Sequence, residues 1–299
     1  MRFSLSDPSN TEYSESCDHE RDLSCRECAR LVCVCDAIAI KIADKNDCLT
    51  EEQRVRVQYD HKQATNSILL CRVQLLRTVN QEKAKQDILV RLDKGSTLMI
   101  MDLAMKIQAM KFRELMDDCF GKGGRGWHVT CAIKKEDDDT LEVDTFEHLF
   151  DTSVQDWFSA TSVIEHTLSL VKTENPQVSK VYLRSHNAGC YHNTVLLGRK
   201  NMGYRHGVEH YDFSDPQSGK DVCDCRIASM KTHIRRWVNE SHDITSTREM
   251  KVALESHGEV QGCCFAVVEI DEIKLNARVD KIPGISFLDN FQVEDGILS

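Results

Sequence analysis

The order of strand-like and helix-like segments between residues 97 and 270 limits this chain more than any other feature. T-L-M-I-M-D (97–102), W-H-V-T-C-A-I (127–133) and T-F-E-H-L-F-D (145–151) each read as a strand. K-F-R-E-L-M-D-D (111–118) reads as helical or irregular, G-K-G-G-R-G (121–126) as a turn, and K-K-E-D-D-D-T (134–140) as a charged loop. Three strands before any long helix predict an antiparallel meander. Val154, Trp157, Phe158, Thr161, Ile164, Leu168 and Val171 then mark one face of a helix, with Ser153 and Asp156 as its cap and Pro176 as its stop. K-V-Y-L-R-S (180–185) has the composition of a buried parallel strand. A short helix over 190–199 and a fifth strand, V-E-H-Y-D-F-S (208–214), follow. Ile227, Met230, Ile234, Trp237 and Val238 form the face of the next helix. Ser246 with Glu249 opens another, to about residue 256, and C-C-F-A-V-V-E-I (263–270) closes the series as a strand.

Strands that alternate with helices after a meander predict parallel additions to the same sheet. The expected class is α/β, a mixed sheet flanked by helices, in the order of the ribonuclease H-like fold. Such an order fixes no function.

Before this region the pattern differs. Residues 1–16 are polar and read as disordered. Residues 50–93 hold no Pro or Gly, and Thr50 with Gln53 makes a capping-box pattern. Tyr59, Ala64, Ile68, Leu75, Val79, Ile88 and Leu92 recur at helical spacing. The segment is one long helix or a helical pair. A continuous helix would span roughly 60 Å, a length that suits an arm or a homo-oligomer contact. The expected domains are therefore a Cys-rich segment at 17–49, the helix at 50–93 and the α/β domain at 94–299.

Fourteen cysteines need a compartment. The opening M-R-F-S-L-S-D-P-S-N does not read as a signal peptide, and no stretch approaches the ~20 apolar residues of a membrane span. A reducing, intracellular setting follows, with thiols buried or bound to metal. Cys17, His19, Cys25, Cys28 and Cys33 crowd into one short segment, and Cys25-x-x-Cys28 has knuckle spacing, which allows Zn²⁺. The alternative has Cys25, Cys28, Cys33 and Cys35 as apolar positions at the start of a helix.

Six longer stretches stand out as less generic: I-M-D-L-A-M-K (100–106), F-G-K-G-G-R-G-W-H-V (120–129), H-L-F-D-T-S-V-Q-D-W (148–157), L-R-S-H-N-A-G-C-Y-H (183–192), Y-D-F-S-D-P-Q-S-G-K-D-V-C-D (211–224) and G-I-S-F-L-D-N-F (284–291). In these the chain resembles uncharacterised transposon-derived proteins of animal genomes with a ribonuclease H-like, transposase- or integrase-type core. The resemblance runs from about residue 93 to 295. It implies metal-dependent DNA strand cleavage and transfer, Mg²⁺ or Mn²⁺ as cofactor, DNA as partner and a nuclear location. Two-cation phosphoryl transfer needs carboxylates that converge only in the fold. The resemblance assigns the first role to Asp102 and the third to Asp224, which falls in the family's G-K-x-x-C-D pattern. Asp221 competes for that third role, although a carboxylate in a helix's first turn also serves the helix dipole. Asp212 and Asp215 are weaker candidates.

The second role is where the chain departs. The family's aspartate is His186 here. An imidazole is neutral and poorly suited to Mg²⁺. Replacing a carboxylate between two dications costs orders of magnitude in rate. The site is then lapsed, or uses another metal, or borrows an acid such as Asp151. Asn187 and His192 either orient substrate or serve turn hydrogen bonds.

Arg226, Lys231, Arg235 and Arg236 load the helix after Asp224 with positive charge, and Lys122 and Arg125 sit in the glycine-rich turn. They are candidate phosphate contacts. A net charge of −10 argues against a broad nucleic-acid surface and favours a solvated helix face as the competing reading. The rival function is a non-catalytic scaffold, binding nucleic acid or protein and self-associating through helix 50–93.

Overall fold

The computed structural model describes residues 26–44, 49–115, 122–136, 139–151, 156–192, 207–214, 221–258, 260–269, 290–294 and 297–298. The chain divides into two compact units, residues 1–83 and 84–299.

The first unit contains α1 (Arg26–Ala43) and most of α2 (Glu51–Arg91), which is a single helix. The Thr50–Gln53 cap forms as the sequence predicts. Gln53 N–H donates to Thr50 Oγ1 at 3.3 Å, and Thr50 N–H donates to Gln53 Oε1 at 3.0 Å. Arg54 is buried and donates to the carbonyl oxygens of Ile42 and Asp44, satisfying the frayed end of α1. The expected apolar face of α2 is mostly not a core face: Tyr59, Leu75 and Val79 are exposed, whereas Ile88 and Leu92 are buried.

The second unit is α/β with a mixed sheet in the order β6-β3-β2-β1-β4-β5-β7-β8. β1 (Ser96–Gln108), β2 (Gly124–Lys135) and β3 (Leu141–Phe150) form the predicted antiparallel meander. β4 (Lys180–His186) joins β1 in parallel, and β5 (Gly207–Ser214) joins β4 in parallel. β6 (Cys263–Val267) returns to the far edge and pairs with β3 in parallel. β7 (Asn290–Glu294) pairs antiparallel with β5, and β8 (Ile297–Leu298) with β7.

Alternating side chains sort onto two faces, as strand geometry requires. Met99, Met101, Phe146, Leu183 and Phe213 pack with α3 (Trp157–Glu174) through Ala160, Ile164, Leu168 and Val171. Leu98, Ile100, Trp127, Val129 and Leu149 pack with α4 (Val222–Asn239) and α5 (Thr247–Glu255), through Ile227, Met230, Ile234, Met250 and Leu254. Ile88 and Leu92 belong to that second cluster. Each fully buried side chain of this size contributes roughly 1.5–3 kcal/mol.

Several boundaries differ from the sequence reading. β1 continues past residue 102 to Gln108, so Asp102 sits in mid-strand. β2 begins inside the glycine run: Gly124 pairs with Gln108, and a Cβ there would lie 2.6 Å from the Cβ of Lys106. The N-cap of α3 is Asp156, which accepts from Ser159 N–H at 2.9 Å; Ser153 lies outside the described residues. Cys190–His192 form a turn, and the rest of the expected helix at 190–199 also lies outside them. The Ser246–Glu249 capping box is present at the start of α5.

Candidate functional site

Parallel pairing of β1 with β4 is what builds the site. Met101 is the register partner of Ser185, so the next pair along, Asp102 and His186, stands side by side on the face covered by α4. Asp102 Oδ1 lies 3.4 Å from His186 Nε2. β5 extends the row, because His186 is the register partner of Ser214. His186 Nδ1 and Ser214 Oγ are 3.5 Å apart, and Ser214 Oγ also donates to Ser185 O at 3.3 Å. The side chains of Asp102 and His186 are 16% and 31% exposed, so solvent reaches both.

Burial raises the pKa of the Asp102 carboxyl above its ordinary value. His186 opposes that shift, the Asp224 carboxylate adds to it, and the Leu103 backbone N–H and Lys231 oppose it. Asp224 is exposed in the first turn of α4 and acts on Asp102 through its charge. Asp221 takes the structural role instead. It is the N-cap of α4, accepts from Val222 N–H at 2.7 Å and pairs with Lys85 at 3.5 Å.

The expected acids thus reach one face of one sheet, but the residues do not fit a pair of Mg²⁺ ions. An imidazole, not a carboxylate, faces Asp102. Among the described residues, no three His, Cys, Asp or Glu side chains stand together as a ligand set. Asp151 does not fill the gap: it accepts from Thr247 N–H at 3.1 Å and pairs with Arg125 at 3.2 Å. Asp212 is the register partner of Arg184, whose charge opposes the upward shift that burial imposes on its carboxyl. Asp215 lies outside the described residues.

One acid was not anticipated from the sequence. Glu147 on β3 is completely buried, with no hydrogen-bond partner for either oxygen. Its register neighbour on β2 is Val129, and Val129 is the partner of Asp102, so both acids lie on the same sheet face. Its neighbours in the same period-two row of β3, Thr145 and Leu149, are buried with it. On the opposite face the sheet buries His128 and His148, which are register partners. His148 Nε2 is 2.8 Å from His166 Nδ1.

The candidate phosphate contacts divide into bound and available groups. Lys122 donates to Ala109 O at 3.0 Å and pairs with Glu114. Arg125 is bonded to Thr245 O as well as to Asp151. Arg226 donates to Gln261 O at 3.1 Å, and Arg236 pairs with Glu240 at 3.1 Å. Asn187 Oδ1 is hydrogen-bonded to His192 Nδ1, whose ring stacks on Phe213 at 4.3 Å. These contacts favour the structural reading for those five residues. Arg235 is exposed and Lys231 half-buried on α4, and they remain the best-placed cations. Of the proposed zinc ligands, Cys33 is an exposed free thiol on α1, and Cys28 is in that helix's first turn. Cys17, His19 and Cys25 lie outside the described residues.

No described helix is long and apolar enough to cross a membrane. No family model, curated protein or solved structure matches the chain.

Proposed function

We propose that this is a transposase-derived protein whose ribonuclease H-like core once performed metal-dependent DNA strand cleavage and transfer, and in which His186 has removed that activity. The observation that carries the reading is the Asp102–His186 contact of 3.4 Å. Two positions 84 residues apart in sequence meet there on adjacent parallel strands, with the charge of Asp224 acting on the same carboxyl. The antiparallel β3-β2-β1 meander followed by parallel β4 and β5 supports the fold assignment. A supercoiled-plasmid nicking assay with Mg²⁺ or Mn²⁺ tests the reading. The parent chain should be inactive, His186→Asp should nick, and adding Asp102→Ala to His186→Asp should abolish nicking. Parent activity that survives Asp102→Ala rejects it.

A second reading, a self-associating scaffold, is favoured by a different observation. α1 exposes Val32, Val34, Ile38 and Ile40, and α2 exposes Val55, Tyr59, Leu69, Leu70, Leu75 and Val79. Apolar side chains exposed in that number mark a surface that associates. Light scattering on the full chain and on residues 84–299 tests it. Association should disappear with the first unit, and an equally associated fragment rejects it.

A further inference from the structure

The same corner of the sheet supports a chemistry that needs neither a cation nor DNA. Asp102, His186 and Ser214 lie in a row across β1, β4 and β5, at the carboxyl ends of the two parallel pairings. Open α/β sheets place their ligands at such ends. The imidazole has a carboxylate 3.4 Å from Nε2 and a hydroxyl 3.5 Å from Nδ1. This is the order of groups that activates a serine: orienting acid, base, nucleophile.

We propose that Ser214 is the nucleophile of an ester-hydrolysing site, with His186 as its general base and Asp102 as the residue that positions the ring. A carboxylate that accepts from Nε2–H fixes the tautomer in which Nδ1 carries the lone pair, and Nδ1 is the nitrogen that faces Ser214. The hydroxyl hydrogen has two acceptors within reach, His186 Nδ1 and Ser185 O, and rotation about the Cβ–Oγ bond moves it between them. Both contacts of the row are long for hydrogen bonds, as resting catalytic contacts often are before substrate tightens them. His186 and Ser214 are partly exposed, so an ester can reach the oxygen.

The step balances within the named groups and water. Ser214 Oγ forms a bond to the acyl carbon of a carboxylic ester while its proton passes to His186 Nδ1. The tetrahedral adduct collapses, the bond from the acyl carbon to the alcohol oxygen breaks, and the alcohol leaves with that proton. Water then attacks the acyl-serine, again giving its proton to Nδ1, and Ser214 is regenerated with release of the carboxylic acid. General-base assistance of this kind contributes on the order of 10²–10⁴ in rate.

The proposal rests on these three side chains alone and stands apart from the transposase reading. The test is reaction of the full chain with a fluorophosphonate probe, which loses fluoride as it phosphonylates an activated serine. Peptide mapping then locates the adduct. Labelling at Ser214 is expected, is absent in Ser214→Ala, and slows on the order of 100-fold in His186→Gln. Asp102→Asn should displace the pH profile of labelling without a matching change in melting temperature, and parent and Ser214→Ala chains should melt alike. Hydrolysis of p-nitrophenyl acetate should fall in the same three variants. An unlabelled Ser214, or labelling that proceeds equally fast in His186→Gln, overturns the proposal. Plasmid nicking by His186→Asp is untouched by either result, so the two readings fail separately.

Discussion

Inside the sheet, single titratable side chains place opposite demands on stability. Burial lowers the His148 pKa from 6.5 to about 4, with His166 adding to the effect. The folded protein therefore holds His148 neutral, while the unfolded chain takes up a proton below 6.5. Its contribution is complete above that pH and is lost as pH falls toward about 4, a change on the order of 3 kcal/mol. Glu147 behaves the other way. Burial first, then Cys131 and Asp102, push its carboxyl well above the ordinary 4.5. The fold holds its proton to a higher pH than the unfolded chain, which ionises above 4.5, so stability falls as pH rises above that value. Urea denaturation across pH separates the two. His148→Gln should flatten the loss on the acid side, and Glu147→Gln should raise stability at neutral pH and flatten the decline. A Glu147→Gln chain less stable than the parent at pH 7 would show that the carboxylate has a partner. From sequence alone, Glu147 could not be told from a solvent-facing strand residue, because an acid within an alternating row ordinarily marks the wet face. Its register neighbour on β6, Phe265, is 118 positions away.

Individual elements test the capping arguments. Ser246 Oγ accepts from Glu249 N–H at 3.2 Å, and Glu249 Oε2 accepts from Ser246 N–H at 3.0 Å. Ser246→Ala should cost about 1 kcal/mol in equilibrium denaturation. A cost near zero would mean that α5 is held by its core contacts, Met250 and Leu254, without need of the cap. Arg125 ties β2 to the segment before α5 through Thr245 O and Asp151, and Arg125→Ala should cost about 1–2 kcal/mol. Elements of this kind were legible wherever the cue was local. The Thr50–Gln53 and Ser246–Glu249 pairs, the Pro176 stop and the alternation of β4 with its flanking helices all lie within a few residues of what they specify. Cues that act across the sheet were not legible. β1 runs on through Ala104 to Gln108 where β2 pairs with it, and the pairing at Gly124 leaves no room for a side chain beside Lys106.

At the level of the whole chain, the two units make different predictions. Residues 84–299 hold both clusters of the sheet domain, including Ile88 and Leu92 at the end of α2. A fragment beginning at residue 84 should melt cooperatively, whereas one beginning at residue 93 loses both side chains and should be several kcal/mol less stable. Equal melting temperatures would place α2 outside the core. The site was partly legible: the sequence pointed to Asp102, His186 and Asp224, and the parallel β1–β4 pairing brings the first two into contact. That Ser214 joins the row depends on β5 register, which no local pattern specifies.

The claim that underlies the functional account is that His186 stands where a cation ligand is required. Calorimetric titration of Mn²⁺ into the parent chain and into His186→Asp measures this directly. The account predicts no saturable site at the parent's Asp102, and a new site in His186→Asp that disappears when Asp102→Ala is added. Equal binding by parent and His186→Asp, or none by either, would contradict it.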